Sequence, residues 1–191
     1  MITHITSPQF VFHNNPAKVA LGGTDFQILL ENQETSHGVV PKGTINDGPS
    51  INPYPLRMII QPRTMPLSGN WHDLACMGKL QTKTGTLRKA QFTRWTADAI
   101  LREAVIAEGV RNYFLGREDQ IDAQEYERHL KRLNRRAFLV WVGVVIGAKM
   151  KYKTVIPPHI VEYGISEYSQ RFGISVNKLE FDTETNKVFE V

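Results

Sequence analysis

The chain predicts an α+β fold, a single domain over residues 1–191, and three observations carry that reading. The first 92 residues alternate short apolar runs with Gly- and Pro-rich turns. Three later segments repeat their apolar residues at helical spacing. The final stretch sets two short strand-like runs around a polar turn, so a strand- and loop-rich N-terminal half should meet a three-helix C-terminal half closed by a β-hairpin.

Residues 9–12 (Gln-Phe-Val-Phe) and 26–30 (Phe-Gln-Ile-Leu-Leu) are the first strands, separated by turn-prone Asn14-Asn15-Pro16 and Gly22-Gly23. Residues 32–55 then carry Gly38, Pro41, Gly43, Gly48, Pro49, Pro53 and Pro55, which forbid a regular helix. They read as an extended Pro/Gly-rich arm or loop, either laid over a neighbouring subunit or free of one. Strands are expected at 56–60, ended by Pro62, Pro66 and Gly69, then at 74–77 and over 79–92 with a turn at Thr84-Gly85.

Helical spacing begins near Thr96, with Ile100, Leu101, Ala104 and Val105 as inner face and Gly116 as stop. The short loop 117–120 makes this helix antiparallel to the next. That next helix, 122–148, is one rod of two chemistries. Asp122 is placed to accept from backbone N–H groups at its start, with Glu125 completing a capping box and Ile121 and Tyr126 a staple. Its first half holds Arg128, Lys131, Arg132, Arg135 and Arg136, which at about 100° per residue share an arc of roughly 140°. Its second half, 137–148, has no charge; a helix apolar all round is expected to be buried on every side. Gly143 and Gly147 there form a flat strip for another backbone, from this chain or a second subunit.

Lys149, Lys151 and Lys153 alternate with Met150 and Tyr152 beyond the rod. Pro157-Pro158 opens a third helix with Val161, Ile165, Tyr168 and Phe172 inside and Gly173 as stop. Runs 178–182 and 187–191 flank Thr183-Glu184-Thr185-Asn186 as the terminal hairpin.

The net charge of +4 is unevenly placed. Residues 1–78 hold four Lys and Arg against five Asp and Glu, residues 79–153 sixteen against eight, and residues 154–191 three against six. A basic middle of this kind meets phosphates or an acidic partner, or else the chain's own acidic end folds over it. No stretch is apolar enough to span a bilayer, and the first residues lack the pattern of a secretory signal, so an intracellular chain with no membrane partner is expected. A single cysteine excludes an internal disulfide and any multi-cysteine zinc module.

Trp71-His72-Asp73 with Cys76 is the densest group of reactive side chains. On a strand, however, His72 and Asp73 would point to opposite faces and could not converge. The six histidines show no helical pair with metal-ligand spacing, so no metal or cofactor is expected. Gly78-Lys79-Leu80 lacks the rest of a phosphate loop, and Tyr168–Ser175 resembles the turn of a helix-turn-helix followed by too short and acidic a segment. The basic arc, extended by Arg94 beside Trp95 and by Lys149, Lys151 and Lys153 around Tyr152, is the best candidate surface. The expected function is a non-enzymatic subunit of a larger nucleoprotein or virion-like particle whose basic helix contacts nucleic acid or an acidic partner. The alternative is an enzyme on nucleic acid using His72 with Asp73, or His159.

Overall fold

The computed structural model describes residues 5–6, 9–13, 26–46, 66–76, 80–81, 94–115, 117, 122–147 and 156–191. In chain order its elements are strands β1 (Phe10–His13), β2 (Phe26–Leu29), β3 (Gln33–Thr35), β4 (Gly38–Val40) and β5 (Ile45–Asn46). Helices α1 (Pro66–Cys76), α2 (Arg94–Phe114), α3 (Ala123–Gly147) and α4 (Pro158–Phe172) follow, then strands β6 (Leu179–Asp182) and β7 (Lys187–Glu190).

The fold is α+β, built as layers around β2. Successive side chains of a strand leave on opposite faces, and β2 is buried on both. Phe26 and Ile28 enter a core with Ile45, Ile160 and Tyr168 of α4, and Leu179 and Val188 of the terminal hairpin. Leu29 enters a second core with Leu67, Trp71 and Leu74 of α1 and Ala97, Ile100 and Ala104 of α2. β1 and β5 flank β2 in antiparallel register, Val11 opposite Ile28 and Ile28 opposite Ile45. A third core joins the other side of α2, Leu101 and Val105, to Ala137, Val140 and Val144 of α3. The layers therefore run α3, α2, α1, sheet, and α4 with the hairpin.

Helix α1 stands where a proline break and a strand at 74–77 were expected. Pro66 is its first residue, where a missing N–H costs nothing. Leu67, Trp71, Leu74 and Ala75 recur at i, i+4, i+7 and i+8, the spacing of one helix face, and all four are buried. The segment read as an arm over 32–55 carries β3, β4 and β5 through residue 46, with Gln33, Val39, Val40 and Ile45 buried. Residues 47–55, the strand expected at 56–60 and nearly all of the one at 79–92 lie outside the described residues; within the last, Gln81 bridges Val39.

The rod is continuous from Ala123 to Gly147. Asp122 caps it, Oδ1 accepting from Gln124 N at 3.1 Å, while Glu125 turns to Arg117 at 3.6 Å instead of closing a capping box. Tyr126 packs on Phe114, the ring centres 5.4 Å apart, and His129 stacks on Tyr113 at 4.3 Å. The expectation of all-round burial for 137–148 fails. α3 lies at one edge of the layers, so only the stripe Ala137, Val140, Gly143 and Val144 is buried, and Phe138 and Ile146 stay 48% and 54% exposed. Helix α4 turns a slightly different face inward than expected: Ile160, Gly164 and Tyr168 are buried, while Val161 and Ile165 are half-buried. It ends at Gly173, whose φ of 66° is left-handed and suits a residue without a side chain. After it a single 3-10 turn, Val176–Lys178, leads straight into β6, so no recognition helix follows.

Candidate functional site

Most polar side chains of α1 are buried, and several of them find partners in a neighbouring layer. At its first turn, where backbone N–H groups lack helical partners, the Glu108 carboxylate of α2 accepts from Leu67 N (3.1 Å), Ser68 N (2.9 Å) and Ser68 Oγ (2.8 Å). Burial pushes the Glu108 carboxyl above its ordinary value of 4.5, although these hydrogen bonds and the Arg111 charge pull the other way. From the sheet, Gln27 Nε2 donates to Asn70 Oδ1 at 2.9 Å, Gln33 Nε2 to the Leu67 carbonyl at 2.8 Å, and Asn46 Nδ2 to Asp73 Oδ2 at 2.8 Å.

The C-terminal turn of α1 gathers the reactive groups. His72 and Cys76 are four residues apart and share one face of the helix. Asp98, in the first turns of α2, reaches across from the adjoining layer. His72 Nε2 lies 2.8 Å from Asp98 Oδ1 and 3.4 Å from Cys76 Sγ, and Nδ1 lies 3.2 Å from Asp73 Oδ1. His72 and Asp98 are buried and Cys76 is half-buried. Burial works against a charged imidazole, yet the hydrogen bonds to Asp73, Asp98 and Cys76 and the Asp73 charge outweigh it, holding His72 well above its ordinary value of 6.5. The metal-binding atoms of His72, Cys76 and Asp98 all lie within 4.8 Å of one another. His159 stands apart from this group in the first turn of α4, exposed.

The second feature is the outer face of α3. Arg128, Lys131, Arg132 and Arg135 are exposed, and among the described residues no carboxylate forms an ion pair with any of them. Arg128 Nε donates to its own helix, at 3.3 Å from the Gln124 carbonyl. Arg136 differs: it is half-buried, and burial draws its guanidinium down while the Glu108 charge holds it up. The acidic end of the chain packs on the sheet, on the far side from α3, so it leaves the basic face uncovered.

Comparison with protein-family models, with curated proteins and with solved structures finds no match.

Placed at about 100° per residue, the exposed side chains of both halves of α3 fall on one strip. Exposed Arg128, Lys131, Arg132 and Arg135 lead into exposed Phe138 and Ile146, with Leu139 and Val142 half-buried between them. Beside the apolar end, Trp95 of α2 is 63% exposed and meets the ring of Trp141 edge-on at 5.8 Å. Trp141 lies 5.8 Å from Phe138, over which the Arg102 guanidinium sits at 6.0 Å. Cations thus run into aromatic faces along one surface. Among the described residues no helix is long and apolar enough to cross a membrane.

The remaining predicted site residues divide. Gly143 is buried within the chain itself, so it offers nothing to a second subunit, and Gly147 ends α3 with its surroundings undescribed. Arg94 begins α2, its side chain outside the described residues, as are Lys149, Lys151 and Lys153. Sequence reasoning missed Asp98 and Glu108, because each serves a helix distant in the chain, and by reading the segment as a strand it set aside the convergence of His72 and Asp73, whose Nδ1 and Oδ1 lie 3.2 Å apart.

Proposed function

We propose that the chain is a binding subunit of a larger nucleoprotein assembly and that the outer strip of α3 holds single-stranded nucleic acid. The observation that carries this is the row of four exposed cations at helical spacing, none of them ion-paired to a carboxylate among the described residues. Guanidinium forks at that spacing reach successive phosphates. The aromatic rings continuing the strip favour a single strand over a duplex, because unpaired bases stack on exposed ring faces. A small apolar patch beyond them suits contact with neighbouring subunits.

Fluorescence anisotropy with labelled single-stranded and duplex oligonucleotides over a range of salt tests the reading. Arg128→Ala with Arg132→Ala should lower the slope of log affinity against log salt by about 1.4 for single strands, about 0.7 per lost phosphate contact. Phe138→Ala should weaken single-strand binding by about 1–3 kcal/mol and spare the duplex. An unchanged slope and affinity in the double variant would end the proposal. Equal binding of polyglutamate would point instead to an acidic protein partner.

A further inference from the structure

We infer that His72 Nε2, Cys76 Sγ and the Asp98 carboxylate form a binding site for a divalent transition-metal ion, with zinc the best-suited occupant. The inference is independent of the surface on α3. It begins with a topological oddity: Asp98 and Cys76 both approach the same imidazole nitrogen, at 2.8 and 3.4 Å. A thiol activated by its neighbour needs that nitrogen free to take its proton. Here the shorter contact commits Nε2 to Asp98, so the group makes a poor proton relay. Three donors converging on one point is instead the arrangement of ligands about a common ion.

The donor chemistry agrees. Thiolate, imidazole and carboxylate are the three side-chain ligands of zinc, whereas calcium and magnesium take oxygen alone. Tetrahedral bonds of about 2.0–2.3 Å put ligand atoms roughly 3.3–3.8 Å apart, within the 4.8 Å span of the three donors. Binding replaces the proton between Nε2 and Asp98, and the thiol proton, with the ion; both protons leave to solvent.

The surroundings are those of a held ligand. Asp73 Oδ1 lies 3.2 Å from Nδ1, the other ring nitrogen, and so orients Nε2 toward Cys76 and Asp98. Asn46 in turn fixes Asp73 from the sheet at 2.8 Å. Because the dication replaces two protons, it leaves the net charge of the buried cluster unchanged. Among the three ligands Cys76 is the half-buried one, His72 and Asp98 being buried, and water or an incoming ligand would fill the fourth position.

Cobalt(II) titration of the full chain, stripped of metal with a chelator, is the test. The wild type should bind one equivalent and develop the near-ultraviolet charge-transfer band of thiolate-bound cobalt, which zinc then bleaches. The chain has one cysteine, so that band can come only from Cys76. Cys76→Ser should abolish the band, Asp98→Asn should remove tight binding, and Asp73→Asn should weaken it about 10–100-fold without removing the band. Circular dichroism of each variant checks folding. Should Asp98→Asn fail to fold, the wild type and Cys76→Ser decide alone. Cobalt bound by the wild type without the band, or no binding, would overturn the assignment, as would a band that survives Cys76→Ser.

Discussion

Glu108 gives the sharpest test of how the interior is held. Its carboxylate accepts three hydrogen bonds from the first turn of α1, two from backbone N–H groups and one from the Ser68 hydroxyl. Glu108→Ala leaves those donors buried with no acceptor. Hydrogen bonds to a charged acceptor contribute about 1.5–3 kcal/mol each and do not add fully, so the loss should be about 3–5 kcal/mol. Against a typical stability of about 5–15 kcal/mol that is a large share. Urea denaturation followed by circular dichroism measures it, and a loss below about 1 kcal/mol would refute the capping role. A second arm tests the electrostatics. Because burial raises the folded-state value above the ordinary 4.5, the group's contribution is fully present below 4.5 and is lost as pH rises through the folded value. Each unit of upward shift removes about 1.4 kcal/mol. Glu108→Gln cannot titrate, so the stability of the wild type relative to this variant should fall as pH rises from 4.5 toward neutrality. A constant difference, or one that grows with pH, would show that the hydrogen bonds and not burial dominate.

Two further outcomes follow from packing. Gly109 lets α2 approach α3, and a Cβ there would meet Leu133 Cδ2 at 2.3 Å and Cδ1 at 3.0 Å; Gly109→Ala gains about 0.5–1 kcal/mol of helix propensity but forces overpacking of about 1–3 kcal/mol, so thermal unfolding should show a net destabilisation. Leu101→Ala, fully buried between α2 and α3, should cost about 2–5 kcal/mol, whereas Ile146→Ser on the exposed strip should stay within about 0.5 kcal/mol; similar losses for both in denaturant titrations would contradict the one-sided burial of α3.

What was legible in the sequence was what local patterns determine. The antiparallel pair α2 and α3, the Asp122 cap, the proline start and glycine stop of α4, and the terminal hairpin all follow from residues adjacent in the chain. α1 was not legible, for a physical reason. Its eleven residues fall below the about 12–15 that a helix needs to hold alone, and Gly69 and Asn70 weaken it further. Its cap comes from Glu108, about forty residues on in the chain. The apolar spacing of Leu67, Trp71, Leu74 and Ala75 was the one available signal, and Pro66 was weighed as a breaker instead of a first residue. Misreading α1 also hid the cluster, since on a strand His72 and Cys76 would share a face but lie roughly 13 Å apart, whereas a helix brings them together, and Asp98 joins them only across the layer boundary. The far half of α3 misled in the opposite sense. Uncharged sequence indicates burial only where another layer exists to supply it, and α3 is the outermost of the described layers.

Helix α2 links the two features that the layers otherwise keep apart. Toward α1 it presents Asp98 to His72 and Glu108 to the first turn; toward α3 it presents Leu101 and Val105. Arg136 crosses that division, because its half-buried guanidinium is held up by the Glu108 charge while its four basic neighbours on α3 face outward. It therefore belongs with the interior and not with the exposed strip. Charge reversal there would place a second carboxylate near Glu108 and act on stability, whereas reversal at exposed Arg132 should leave stability unchanged and lower only the proposed nucleic-acid affinity. The arc that looks uniform at helical spacing is thus two environments on one helix, divided by which side chains the α2 layer can reach.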